Sequence, residues 1–185
     1  MKVSPLFKAE NGFLVRISDD MKIDTSSVAV VPVEKIVSGN ATVSEPLIAV
    51  TLPWSAVELE PGIYNEELLS ALRGYLKILE EKGTVSFIIP TADDDFSDSD
   101  AADSCIQAAV HAARRIKDCA CVIGFAVVAE FLRGGSSSGS YMQRFIDEMN
   151  VKHSHYVYFA DSAAVEQCGL DKERLKKQFV MYSLR

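Results

Sequence analysis

A chain of 185 residues can bury one sizeable core and does not require two independent domains. With 48% hydrophobic and 24% charged residues, its composition is that of a globular protein and argues against disorder. The net charge of -7, with Lys and Arg scattered over helical stretches, argues against nucleic acid as a partner.

No run reaches the roughly 20 apolar residues of a membrane span, and Met1 to Glu10 lacks the pattern of a leader, so a soluble, cytoplasmic protein without a membrane partner is expected. Cys105, Cys119, Cys121 and Cys168 show neither a Cys-x-x-Cys pair nor a zinc spacing with His111, His153 and His155. They are read as reduced core thiols. In chain order, Gly12 to Ser18 alternates Phe13, Val15 and Ile17 with Leu14 and Arg16, which predicts a first short strand. Ser27 to Val33 is a second apolar run, followed by the turn residues Ser38-Gly39-Asn40. These two form either a hairpin or a lead-in to the rest, and residues 1–45 are read as lead-in strands of a single domain.

From residue 46 onward, apolar runs alternate with helical patterns. Strands are predicted at Leu47 to Leu52, Thr84 to Pro90, Cys121 to Val128, His155 to Ala160 and Phe179 to Leu184. Helices are predicted at Asn65 to Lys82, Asp98 to Asp118, Ser140 to Asn150, Ala163 to Gln167 and Asp171 to Gln178. The first of these carries Leu68, Leu69, Leu72, Leu76 and Leu79 along one side, with Gly83 placed to cap it. Repeated strand and helix with short connections implies an α/β fold with a parallel sheet and right-handed crossovers. Five strands, or six with Ser27, are too few for a complete eight-stranded barrel, so a partial or reduced TIM-barrel-like architecture is expected.

Two stretches carry chemistry. Cys121 to Ala129 is a charge-free run of strand formers, and Glu130 ends it, at the end of a strand where α/β folds place reactive groups. Leu52-Pro53-Trp54-Ser55-Ala56-Val57-Glu58-Leu59-Glu60-Pro61-Gly62-Ile63-Tyr64-Asn65 joins a strand end to a helix start. It resembles the corresponding loop of the retaining (β/α)8 glycoside hydrolases of the cellulase and β-galactosidase superfamily, in which a Trp, an acid and Pro-Gly-x-Tyr/Phe-Asn/Asp precede a helix. The resemblance extends over about residues 47–130. It implies that Glu130 holds the acid/base position, protonating the leaving oxygen and then activating water. It also implies a carbohydrate ligand, met by Trp54, Glu58 and Tyr64.

The departures from that pattern are specific. Ala129 stands where the family has Asn, and Pro90-Thr91-Ala92-Asp93 stands where it has a His-bearing strand end. The second carboxylate, about 5 Å from the first in a retaining enzyme, comes in that family from a seventh strand, which this sequence is expected to end before. A truncated, catalytically impaired relative is therefore expected. The alternative is a non-catalytic interaction or assembly protein, its incomplete barrel completed by a partner or a second copy. Phe179 to Tyr182 is then the strand left at an edge, buried in a homodimer unless Met1 to Asn40 covers it.

Asp93 to Asp100 could attract a hard cation, but it lacks the Gly and Glu of an EF-hand loop, and acids before a helix complement its dipole; no metal or cofactor is expected. Gly134 to Ser140 reads as a loop, without the Lys of a P-loop. His153 and His155 read as surface or strand-edge residues.

Overall fold

A computed structural model describes residues 4–42, 44–92, 99–133 and 135–185. Phe7–Glu10 (β1), Phe13–Arg16 (β2) and Lys22–Ile23 (β3) form a small antiparallel sheet in that order. Ala29–Pro32 (β4) leads into the short helix Val33–Val37 (α1). Leu47–Pro53 (β5) is followed by one helical turn, Trp54–Val57 (α2), then by a hairpin of Glu58–Glu60 (β6) with Ile63–Tyr64 (β7), and by the helix Glu66–Lys82 (α3). Val85–Thr91 (β8), Ser99–Ile116 (α4), Val122–Ala126 (β9), Ala129–Arg133 (α5) and Gly135–His153 (α6) continue the alternation. Val157–Asp161 (β10), Ser162–Gln167 (α7), Lys172–Leu175 (α8) and Val180–Tyr182 (β11) follow.

Six strands form one parallel sheet in the order β4, β5, β8, β9, β10, β11. They are apolar on both faces because both faces are covered. Ile48, Val50 and Leu52 of β5 point outward to the helices, where Leu69, Leu72, Leu76 and Leu79 of α3 meet them. Leu47 and Ala49 point inward, with Phe87, Ile123, Val157, Phe159, Val180 and Tyr182. The inner side is filled rather than hollow: Phe87 stacks on Phe159 at 4.1 Å between centroids, and Tyr182 meets Phe87 edge-on at 5.1 Å. The sheet is thus a curled, partial TIM-barrel-like structure with helices alternating along it.

The two edges of this sheet come together. Val28, just before β4, bridges Leu184, just after β11, in parallel register. Val28 N–H donates to Ser183 O at 2.8 Å, Ser183 N–H to Thr25 O at 2.9 Å, and Met181 N–H to Gly12 O at 2.9 Å. Thr25 Oγ1 adds a buried bond of 2.7 Å to Met181 O. The backbone of β11 away from β10 is therefore satisfied by the amino-terminal segment of the same chain. Phe7 and Leu14 are buried with the inner-face residues, and Phe7 borders a small cavity with Tyr156 and Val157 at the start of β10. The antiparallel unit thereby covers the amino-terminal end of the sheet and leaves its carboxyl end to the loops.

Several expectations are corrected. The Gly12 to Ser18 and Ser27 to Val33 runs do not pair as a hairpin; the first pairs with β1 and β3, and the second opens the parallel sheet. The strand leading to Glu130 ends at Ala126, and Glu130 lies in the first turn of α5. The stretch read as a Gly/Ser loop is helical from Gly135 onward, because α6 packs along α5 and α4 and draws its first turns into the helix. The four cysteines are free, three of them buried, and burial pushes Cys119 up to about 11 and Cys121 up to about 12, which makes both poor nucleophiles. No helix among the described residues is long and apolar enough to cross a membrane.

Candidate functional site

Trp54, Glu58 and Tyr64 belong to one compact unit at the carboxyl end of β5. Pro53 ends the strand, and its fixed φ of -59° starts the single turn of α2, which packs on α4. Gly62, at φ +76°, supplies the left-handed residue of the turn between β6 and β7. Glu58 is 8% exposed, and its Oε1 accepts from Gly62 N–H at 2.8 Å. Its Oε2 is buried without a hydrogen-bond partner among the described residues. Asn65 closes the unit: its backbone N–H donates to Val57 O at 2.8 Å, and its side chain accepts from Leu68 N–H at 3.0 Å to cap α3.

Tyr64 is held by a histidine. Its ring stacks on His111 of α4 at 3.7 Å between centroids and 16° between planes. His111 Nε2 lies 2.9 Å from Glu66 Oε1, and His111 Nδ1 lies 2.8 Å from an Arg114 nitrogen. Arginine can only donate, so Nδ1 accepts and Nε2 carries the hydrogen given to Glu66. The imidazole is thus neutral and in one tautomer. Its pKa is lowered, first by desolvation and then by Arg114, with Glu66 working against both. Desolvation likewise raises Tyr64, and the nearby Glu58 charge adds to it. Partial desolvation of Glu66 is outweighed by its hydrogen bonds from Arg115 and His111, which hold it below the usual carboxylate range.

Glu130 stands apart from this unit but at the same end of the sheet. β5 and β9 are the second and fourth strands counted from β4, both parallel, and Trp54 and Glu130 each follow the carboxyl end of one of them. The Glu130 side chain is 19% exposed and pairs with Arg133 one turn on, at 3.1 Å. No hydrogen bond or ion pair among the described residues joins Glu130 to Trp54, Glu58 or Tyr64. Asp161, at the carboxyl end of β10, was not singled out from the sequence, although it ends an apolar run just as Glu130 follows one. It caps α7 by accepting from Ala163 N–H at 2.9 Å. The acidic residues Asp93 to Asp98 lie outside the described residues, and among the described ones no group of three or more His, Cys, Asp or Glu is arranged to hold a metal ion.

This arrangement has solved counterparts. The exo-β-1,4-mannosidase Op5Man5 from Opitutaceae bacterium strain TAV5 superposes on all of this chain with a TM-score of 0.63 at 14% identity. A GH5_18 protein from Streptomyces cattleya, solved with Manβ1-4GlcNAc, covers 75% of the chain with a TM-score of 0.56 at 11% identity. A family 39 glycoside hydrolase from Bacteroides cellulosilyticus WH2 covers 80%, with a TM-score of 0.51 at 10% identity. The chain shares its fold with glycoside hydrolases. It spans only 40%, 45% and 37% of the length of those three structures, respectively. No family model matches the sequence, and no curated protein does. The glycosidase-like fold expected from residues 47–130 is thus present across the chain, and Glu130 follows its fourth parallel strand.

Proposed function

We propose that this chain is a glycoside-hydrolase-like protein that binds carbohydrate at the carboxyl end of its sheet and does not hydrolyse it. The observation that carries the reading is the meeting of the sheet's two edges at Val28 and Leu184 after six parallel strands. Glu130 has the place of an acid/base after strand four. The place from which a seventh strand would bring a nucleophilic carboxylate to within about 5 Å of it is closed off by backbone pairing. What remains for a sugar is the half-buried Trp54 and the Tyr64 ring fixed by His111, since aromatic faces suit the C–H faces of pyranose rings. Glu58 is engaged in its own turn and orders that aromatic unit from behind.

Trp54 is the only tryptophan, so its fluorescence reports on this end of the sheet alone. The mannosidic structures among its fold relatives make β-1,4-mannooligosaccharides the first ligands to titrate. A saturable shift in Trp54 emission, weakened by Tyr64→Ala, is expected together with no turnover of aryl β-mannosides, β-glucosides or β-galactosides. Turnover by the parent that Glu130→Gln abolishes would overturn the loss of hydrolysis, because the amide keeps the shape and cannot give the proton. An emission spectrum indifferent to every sugar would overturn the binding reading. The result would then favour the second reading, a non-catalytic interaction protein, for which the same mouth offers Leu59 and Ile63, 59% and 54% exposed on the β6–β7 hairpin.

A further inference from the structure

A cavity of about 860 Å³, whose described lining includes none of Trp54, Glu58 or Tyr64, lies between α5 and α6 on one side and the α7–α8 segment on the other. Sites for small ligands usually measure about 300–1,000 Å³ and combine an apolar body with a few convergent polar groups. This one has that division. Phe131, Leu132 and Leu175 form a buried apolar floor, and the half-buried Met142 extends it. Arg133, Arg174 and Lys177 stand exposed around it. Arg133 is paired with Glu130, whereas among the described residues Arg174 and Lys177 have no side-chain ion pair. Asp171 also borders the cavity, but its carboxylate faces the backbone of α8, accepting from Arg174 N–H at 3.1 Å.

Three cations around one apolar hollow is a local reversal in a chain of net charge -7. The charged groups at the rim other than Asp171 are donors, so a ligand must bring acceptors and negative charge to that end and an apolar body to the other. Among the described residues no exposed aromatic face lines the hollow for a sugar or a base to stack on, since Phe131 is only 2% exposed. We infer that this cavity binds a single-chain amphipathic anion, an alkyl chain ending in a carboxylate or phosphate, with the head at Arg174 and Lys177 and the chain along Phe131 and Leu175. The cavity's described lining holds none of Trp54, Glu58 or Tyr64, and its test does not depend on the carbohydrate reading.

The cavity carries its own reporter. Cys168 borders it and is half-buried, while Cys105, Cys119 and Cys121 are buried, so neutral iodoacetamide reads Cys168 selectively in the native protein. Dodecanoate is expected to slow alkylation of Cys168, followed by mass spectrometry, by roughly tenfold at about ten times its Kd. Acetate, dodecanol and dodecyl maltoside, which lack either the chain or the charge, are expected to give little protection. Arg174→Glu with Lys177→Glu, both exposed and free of ion pairs among the described residues, should keep the melting temperature and lose the protection. Protection that dodecanol matches, or that survives the charge reversal, would overturn the assignment. So would protection by anionic phospholipid vesicles but not by monomeric dodecanoate, or faster alkylation of the buried cysteines, which would mark denaturation by the amphiphile.

Discussion

His153 is 2% exposed, and neither of its ring nitrogens has a hydrogen-bond partner among the described residues. Its ring stacks over Tyr156 at 5.8 Å, and the Tyr156 hydroxyl is likewise buried with no partner among the described residues. Burial, followed by the charges of His155, Lys117, Lys152 and Arg114, lowers His153 from 6.5 to about 4. The folded protein thus keeps this imidazole neutral at a pH where the unfolded chain protonates it. Stability is complete above the unfolded value, falls as the pH drops from 6.5 towards 4, and levels off below that. At 1.36 kcal/mol per unit, the loss is at most about 3 kcal/mol. His153→Phe keeps the stack on Tyr156, and urea denaturation from pH 7 to pH 4 should show a shallower decline for it than for the parent; parallel declines would show that His153 does not titrate in this way. His111 works in the same direction, because protonating Nδ1 removes the acceptor that Arg114 needs.

Among the elements, the junction of β9 and β10 has the tightest tolerance. Gly124 sits opposite Val157, and a Cβ at Gly124 would come within 1.9 Å of Val157 O and 2.9 Å of the Phe159 ring. The first of these is backbone of a central strand and cannot swing aside. Gly124→Ala should therefore destabilise by about 3 kcal/mol or more, at or above the upper end for overpacking. The urea midpoint should fall with an unchanged slope, and a midpoint within error of the parent would mean that β10 can retreat. At the start of α3, Asn65→Ala removes the bond to Leu68 N–H and should cost about 1 kcal/mol. The backbone N–H that ties residue 65 to Val57 O is kept in that variant, so the aromatic unit should stay in place.

For the molecule as a whole, the decisive contacts are those of Gly12, Thr25 and Val28 with residues 181–185. The homodimer expected from the sequence rested on an uncovered edge at Phe179 to Tyr182, and that segment is buried within one chain. Removing residues 1–26 would expose the free backbone groups of β11 and uncover the inner-face cluster that Phe7 and Leu14 help to close. The shortened chain should associate with rising concentration in light scattering, while the full chain keeps one mass over the same range. Equal behaviour of the two would show that the amino-terminal segment does not guard the edge.

The sequence by itself determined what local chemistry can specify. Charge-free runs of strand formers such as Val122 to Ala126 suit strands buried on both faces, and the leucines of Glu66 to Lys82 between Asn65 and Gly83 write a helix with both of its ends. That alternation was enough for the fold class, and the resemblance over about residues 47–130 was enough to point to the fold shared with glycoside hydrolases. Tertiary structure decided what depends on partners distant in the chain. Gly135 to Ser140 are poor helix formers, and their helix exists because the apolar side of α6, with Phe145 and Met149, is anchored in the core. His153 is polar and near a turn, yet the end of α6 carries it into the space beside Tyr156. The edge contacts join residues more than 150 positions apart, Thr25 O to Ser183 N–H among them, through backbone groups that every sequence possesses. No side-chain pattern could announce them, because hydrogen bonds between main chains carry no residue identity and only the curvature of the packed sheet brings those edges within reach.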